Sequence, residues 1–360
     1  MDKNNLSDLK KFLRENSLDA ALISSLSNIV YLTKFSHFTE IEREGFVLIT
    51  KNNQYVITDR RYSHAVKTNL PNFELLEISG NNSFTTLLQD AINLHKISVL
   101  GIEENDLTVH EHKKVLLTIK NTKHFDLRKL RILKTKDEIR KIKNACLVGD
   151  KAFLNVLKKI KSGMTEKELA FEIEHFIKKE KCGLSFPTIV AFGKHAAIPH
   201  HKTGNKKLKE NELILIDFGV KYENYCSDMT RTIFYGKAAK QQKNAYKVVK
   251  EAQEKAIKQF NITKNAKDLD EAARSYIASK GYSSMPHSLG HGIGLQVHEA
   301  PSLSPNSNDI LSEGMVFSIE PGIYFPDKFG IRIEDLFAIE NNKLKQLTKS
   351  SRSLIELKIK

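Results

Sequence analysis

The sequence predicts an α+β protein of two domains, and three observations carry that expectation. The chain has 360 residues, which at about 150 residues per domain is roughly two domains. Its first third mixes short β-rich runs with polar helical stretches. From Thr135 onward two amphipathic helices precede strand-like segments, and the same order then recurs. Apolar residues make up 40% of the chain and charged residues 28%, with 17 Gly and 8 Pro, which describes a globular protein rather than a disordered or disulfide-stapled one.

Taken in order, Leu18 to Ile23 reads as a strand. Phe46 to Thr50 and Tyr55 to Thr58 read as a hairpin closed by Lys51-Asn52-Asn53-Gln54, and Ile97 to Ile102 as a further strand. A polar helix is expected from about Thr108. These elements make a small mixed α/β domain over residues 1–127. The basic stretch Arg128-Lys129-Leu130-Arg131 marks the boundary with a second domain over 128–360.

Thr135-Lys136-Asp137-Glu138 is a capping box, in which the Thr oxygen and the Glu carboxylate each satisfy an orphan backbone N–H. It opens an apolar stripe at Ile139, Ile142, Cys146, Phe153, Leu157 and Ile160. Thr165-Glu166-Lys167-Glu168 repeats the box before Leu169, Ile173, Phe176 and Ile177, with Gly183 as the expected stop. Helical patterns from Ala238 to Phe260 and from Leu269 to Lys280, ended by Gly281, repeat the order. A duplicated helix-helix-strand unit follows from that element order rather than from residue identity.

Net charge is +14, from 57 Lys plus Arg against 43 Asp plus Glu. The excess is spread in pairs such as Lys158-Lys159 and Lys206-Lys207, without a dense basic tract flanked by aromatics, so a solvated surface is expected and no nucleic-acid site. Apolar runs such as Leu213 to Ile216 fall far short of the ~20 residues of a membrane span. The N-terminus lacks the apolar core of a secretory signal, and Cys146, Cys182 and Cys226 are odd in number and far apart, so reduced thiols in a cytoplasmic protein are expected.

Chemistry collects in the second domain. Asp217 ends the apolar run Leu213 to Ile216, and Asp228 lies a hairpin's length further on, so a strand pair could bring the two carboxylates together. Each alone reads as a turn or cap residue. His287, His291 and His298 stand among Gly290, Gly292 and Gly294, which weaken regular structure and permit close backbone approach. The spacing lacks His-Glu-x-x-His, and the glycines lack the register of a phosphate loop. Glu320 and Glu334 sit in β-like alternation, with Arg332 on the face of Glu334 if the strand is regular, where an ion pair is the plain reading. Four carboxylates that converge without cations repel, so divalent ions are the natural compensation. Cys226, two residues before Asp228, is expected on the same face, which would make the protein sensitive to thiol reagents.

From about Leu130 to Leu336 the sequence resembles the creatinase/methionine aminopeptidase-like metallopeptidases of pita-bread fold, most closely their proline-peptidase branch. The resemblance implies a catalytic domain of duplicated helix-helix-strand units around an antiparallel sheet, preceded by a creatinase-type N-terminal domain. By it Asp217 chelates one metal, His291 and Glu320 the other, and Asp228 and Glu334 bridge both. His200, His287 and His298 resemble the histidines placed around the substrate, and Arg332 the arginine behind the metals. His201 leaves open which of two adjacent imidazoles points inward.

A site of four carboxylates and one imidazole is hard and oxygen-rich, which favours manganese (Mn2+), with Co2+, Fe2+ or Zn2+ as alternatives. Glu320, His298 and His200 are the expected catalytic groups, and His287 and Arg332 bind substrate. The branch implies a likeness to Xaa-Pro aminopeptidases, acting on peptides with proline in second position, and to homodimers. Xaa-Pro dipeptidase is the near alternative. An inactive peptide-binding relative and a methionine aminopeptidase are further ones.

Overall fold

The computed structural model describes residues 5–39 and 41–359, and the chain divides into two compact units after Arg131. The first unit is a six-stranded sheet in the order 74–78, 54–59, 45–50, 20–23, 100–102, 122–124. The hairpin between Gly45–Thr50 and Gln54–Asp59 is antiparallel with Val47 opposite Val56, while the outer strands pair in parallel. Leu22, Leu48, Ile57 and Ile102 are fully buried against Leu88 and Ile92 of the Phe84–His95 helix. Each such side chain contributes about 1.5–3 kcal/mol through burial. Two strands are shorter than the sequence suggests, Ala20–Ile23 and Leu100–Ile102. At Asp19 the carboxylate takes the N–H groups of Ser98 and Val99 at 3.0 Å, so one backbone bond, from the Asp19 N–H to the Val99 carbonyl, is left there.

The second unit opens with the Lys136–Leu157 and Glu166–Lys179 helices, both started by the expected capping boxes. Lys240–Gln259 and Ala266–Ser279 follow as a second pair. In each pair the residue before the shorter helix forms a lone β-bridge to a downstream segment, Thr165 with Lys207 and Asn265 with Ile310, so the duplicated order extends to the packing of the helix starts. Gly183 is not the stop of the 166–179 helix. Lys181 takes the left-handed turn instead, at φ 58°, and the Cys182 N–H closes on the Ile177 carbonyl. Gly281 does fill that role, at φ 77°.

The second unit holds two larger sheets. One runs in the order 356–357, 229–235, 212–218, 189–192, the other 299–303, 290–292, 316–319, 335–340, 343–346. Within the Glu212–Phe218 strand, Leu213 to Ile216 is unbroken apolar because both faces are covered there. Leu213 and Leu215 belong to the core of the 240–279 helices, and Ile214, Ile216 and Phe218 to that of the 136–179 helices. Its antiparallel partner Met229–Tyr235 sets Thr230 opposite Asp217. That register carries the carboxylate to the strand end at the edge of the core.

Candidate active site

All nine residues singled out by the sequence line one cavity of 680 Å³ in the second unit: Asp217, Asp228, His291, Glu320, Glu334, His200, His287, His298 and Arg332. Their positions follow from the local backbone. Asp217 is the penultimate residue of its strand, and Asp228 sits in the break between Tyr225–Cys226 and Met229–Tyr235. His291 is the central residue of the Gly290–Gly292 strand. A Cβ on Gly290 would meet the Ser318 carbonyl oxygen at 2.0 Å, and one on Gly292 the Ala300 carbonyl at 2.1 Å, so glycine alone permits this approach. Glu320 follows Val316–Ile319, its N–H held by the Leu289 carbonyl at 2.7 Å.

The Phe329–Arg332 strand ends at Arg332, and Glu334 falls in the gap before Asp335–Glu340. The expected pairing of Arg332 with Glu334 is therefore replaced. Arg332 Nη2 donates to Asp217 Oδ2 at 2.6 Å, Nε to Thr230 Oγ1 at 3.1 Å, and Nη1 to the Tyr324 hydroxyl at 2.9 Å and the Pro199 carbonyl at 3.3 Å. Thr230 in turn donates its hydroxyl to Glu334 Oε2 at 2.8 Å. Cys226 is buried, directs its thiol to the Leu295 carbonyl, and is not among the residues lining the cavity. The strand breaks at Ser227, so the regular alternation that would have turned it toward Asp228 does not hold.

Hydrogen bonds orient two imidazoles. A carbonyl only accepts, so His291 Nδ1–H donates to Gly292 O at 3.1 Å, leaving Nε2 to face Glu320 Oε1 at 3.3 Å and Asp228 Oδ2 at 3.8 Å. His287 donates from Nδ1 to the Ser288 carbonyl at 2.8 Å, and its Nε2 accepts from Tyr324 at 2.9 Å. Both of its nitrogens are committed, so the ring presents a carbon edge to the cavity.

Charge is concentrated at the cavity floor. Burial pushes Asp228 and Glu334 well above the carboxylate range, and neighbouring carboxylates add to this, Glu334 for Asp228 and Glu320 for Glu334. Burial also raises Asp217, against the pull of Arg332. Burial acts the same way on Glu320, but the His291 hydrogen bond and charge prevail and draw it down to about 2. His291 shows the converse, as burial lowers it and Glu320 lifts it to about 9. Burial lowers His298, aided by His291, whose ring lies 4.4 Å away in an edge contact.

Three buried carboxylate oxygens, Asp217 Oδ1, Asp228 Oδ1 and Glu334 Oε1, have no hydrogen-bond partner. Ligating atoms of Asp228, His291 and Glu334 lie within 4.8 Å of one another. Buried anionic oxygens without donors are costly, and a hard cation removes that cost. The donor set fits divalent ions of the oxygen-preferring kind. Thr230, Tyr324 and Ser318, which links the His291 N–H to Glu320 Oε1, escape sequence reasoning. Each is an ordinary strand residue until the sheets bring distant segments together.

Fold and site together define a metal-dependent hydrolase preceded in sequence by a separate α/β unit. The chain belongs to metallopeptidase family M24, whose profile matches residues 140–341, and residues 6–142 match the creatinase/prolidase N-terminal domain. It therefore carries a creatinase-type α/β domain followed in sequence by the pita-bread catalytic domain. It is 37% identical over 351 residues to an Xaa-Pro dipeptidase of Pyrococcus horikoshii, covering 96% of this chain and 97% of that one. Among solved structures it resembles an X-Pro aminopeptidase from Thermotoga maritima, with a TM-score of 0.88, 36% identity, and 97% and 99% of the two chains covered. It also resembles an Xaa-Pro dipeptidase from Bacillus anthracis, with a TM-score of 0.90, 32% identity, and 98% and 99% covered. Among the described residues no helix is long and apolar enough to cross a membrane.

Proposed function

We propose that the chain is a di-metal Xaa-Pro aminopeptidase, hydrolysing the bond between an N-terminal residue and proline, with residues 1–127 and 128–360 as its two functional domains. The observation that carries this reading is the cluster of three orphaned carboxylate oxygens beside His291 Nε2 on the floor of one cavity. Asp217, Asp228, His291, Glu320 and Glu334 would hold two divalent ions, manganese first among them. Bound there, such ions polarise a scissile carbonyl and ionise water near neutral pH.

The chain's own groups do the rest. Glu320, kept ionised, takes a proton from the attacking water and delivers it to the leaving proline nitrogen. His298 and His200 donate N–H hydrogen bonds to the oxygen on which negative charge develops. His287, with both nitrogens committed, offers its ring edge as a packing surface for the substrate. Arg332 orients Asp217 and, through Tyr324, the His287 ring. The three free cysteines suit a reducing compartment, and a homodimer is the assembly we assign.

The choice of aminopeptidase over dipeptidase rests on cations. A dipeptide ends in a carboxylate immediately after proline and needs a positive partner at that end of the cleft. Two basic side chains other than His line the cavity. Arg332 is committed to Asp217, Thr230, Tyr324 and Pro199, so no buried guanidinium is free for that carboxylate, and among the described lining residues the exposed Lys202 is the one uncommitted cation that a dipeptidase would use. The names of the Pyrococcus and Bacillus relatives favour the dipeptidase as second reading. Hydrolysis of an Xaa-Pro dipeptide and of an Xaa-Pro-Xaa peptide with Mn2+ separates the two. Faster turnover of the longer peptide is expected, and activity on the dipeptide alone would refute the assignment.

A further inference from the structure

Two adjacent imidazoles, His200 and His201, line the cavity, and a carboxylate outside it decides between them. Glu166 is the first residue of the 166–179 helix and is fully buried. Its Oε1 accepts from the Phe192 N–H at 2.9 Å and from His195 Nδ1 at 2.8 Å. Its Oε2 accepts from the Gly204 N–H at 3.0 Å and from His201 Nε2 at 3.0 Å. Glu166, His195 and His201 have the composition of a cation site. Each Glu166 oxygen, however, already has two donors, unlike the orphaned oxygens of the cavity floor, so the arrangement is a hydrogen-bonded clamp.

The clamp joins the two ends of one segment. Phe192 closes the Ile189–Phe192 strand, Pro199 to Thr203 of the following segment line the cavity, and Gly204 begins the return. Thr203 pins the same end, accepting from the Val190 N–H and donating to the Thr188 carbonyl, both at 2.9 Å. From inside the segment the Pro199 carbonyl accepts from Arg332. His201 has its Nε2 committed to Glu166, whereas the described residues offer the exposed His200 ring no hydrogen-bond partner.

We infer that Glu166 is a positioning residue for the reaction: it ties both ends of the 193–203 segment and takes up His201, so that His200 alone presents a free imidazole to the substrate. The inference rests on the peptidase reading given above. Its electrostatic basis is local. Burial raises the Glu166 carboxyl, but the donors from His201, Phe192, His195 and Gly204 outweigh it and hold the group ionised.

The test uses the full chain loaded with Mn2+ and an Xaa-Pro-Xaa peptide. Glu166→Gln keeps the shape but sets an amide NH2 against two donors at one end of the clamp. We expect kcat to fall about 10- to 100-fold with KM and metal content unchanged, since displacing a reacting group by about 1 Å costs up to about 100-fold. In a His200→Ala background the same change adds less than about three-fold, because the group it positions is gone. His201→Gln costs less than His200→Ala. Imidazole nitrogen NMR should show His201 protonated at Nε2 and His195 at Nδ1, both perturbed in Glu166→Gln. Losses that multiply in the His200→Ala background, or a larger loss from His201 than from His200, overturn the inference. If Glu166→Gln fails to fold, the comparison of His200 and His201 variants decides by the same criterion. Wild-type protein that cleaves no peptide would instead remove the functional reading. The clamp then stands or falls on whether His201 keeps a fixed Nε2–H and a reduced-bond Xaa-Pro-Xaa analogue shifts His200 but not His201.

Discussion

Replacing Asp228 by Asn is expected to move two properties in opposite directions. The Asp228 and Glu334 oxygens approach within 4.8 Å, a separation at which two unit charges repel by about 3.5 kcal/mol in a medium of effective dielectric about 20. Partial protonation, toward which burial and mutual repulsion push both groups, already relieves some of this. The amide should therefore stabilise the metal-free protein by about 1–3 kcal/mol. At about 2–4 °C per kcal/mol for a unit of this size, its melting point rises by about 2–12 °C. With metal the sign reverses. A carboxylate attracts a divalent cation about 4 Å away by about 8 kcal/mol on the same arithmetic. If an amide oxygen recovers half, metal affinity falls by nearly three decades, about 700-fold. Scanning calorimetry of chelator-treated protein, repeated with Mn2+ and paired with elemental analysis and peptide hydrolysis, reads both effects. A metal-free variant that melts no higher than wild type, or one that binds Mn2+ as tightly, would refute the placement of the charge cluster.

The remaining predictions concern protons, a donor and a thiol. Asp228 and Glu334 have folded-state pKa values above their unfolded ones, so they favour folding of the metal-free protein at low pH and that contribution is lost as pH rises through the folded values. Mn2+ must displace those protons, so binding should release protons and weaken as pH falls; calorimetry in buffers of different ionisation enthalpy measures this, and pH-independent affinity would contradict it. His298→Ala should lower kcat by about 100- to 1,000-fold with metal content intact, as for other oxyanion donors; a change confined to KM would make it a binding residue only. Cys226, buried with its thiol on the Leu295 carbonyl, should resist alkylation in the native protein, and stoichiometric labelling without unfolding would show that the cavity reaches it.

The parts of the fold that the sequence reveals are those encoded by neighbours along the chain. Capping boxes at Thr135 and Thr165, the apolar stripes behind them and the Gly281 stop involve residues within a turn or two, where backbone geometry and side-chain chemistry suffice. The Lys181 turn shows the limit. A non-glycine residue adopts the left-handed conformation because a Cys182–Ile177 hydrogen bond and packing fix the helix end, and no local rule selects it over Gly183. The chemistry-bearing residues are likewise visible, since carboxylates and histidines set in apolar or glycine-rich stretches are out of place for packing alone.

By itself the chain determined which residue types stand in strand-end and glycine-flanked positions, and hence the class of chemistry they suit. Their partners were decided by tertiary structure. Arg332 meets Asp217 across 115 positions of sequence, Thr230 meets Glu334 across 104, and Glu166 reaches His201 across 35. Such contacts depend on strand register and on which sheet faces which core. A one-residue slip reverses every side chain, so only the folded sheets determine whether an arginine pairs with the carboxylate two residues away or with one more than a hundred residues distant.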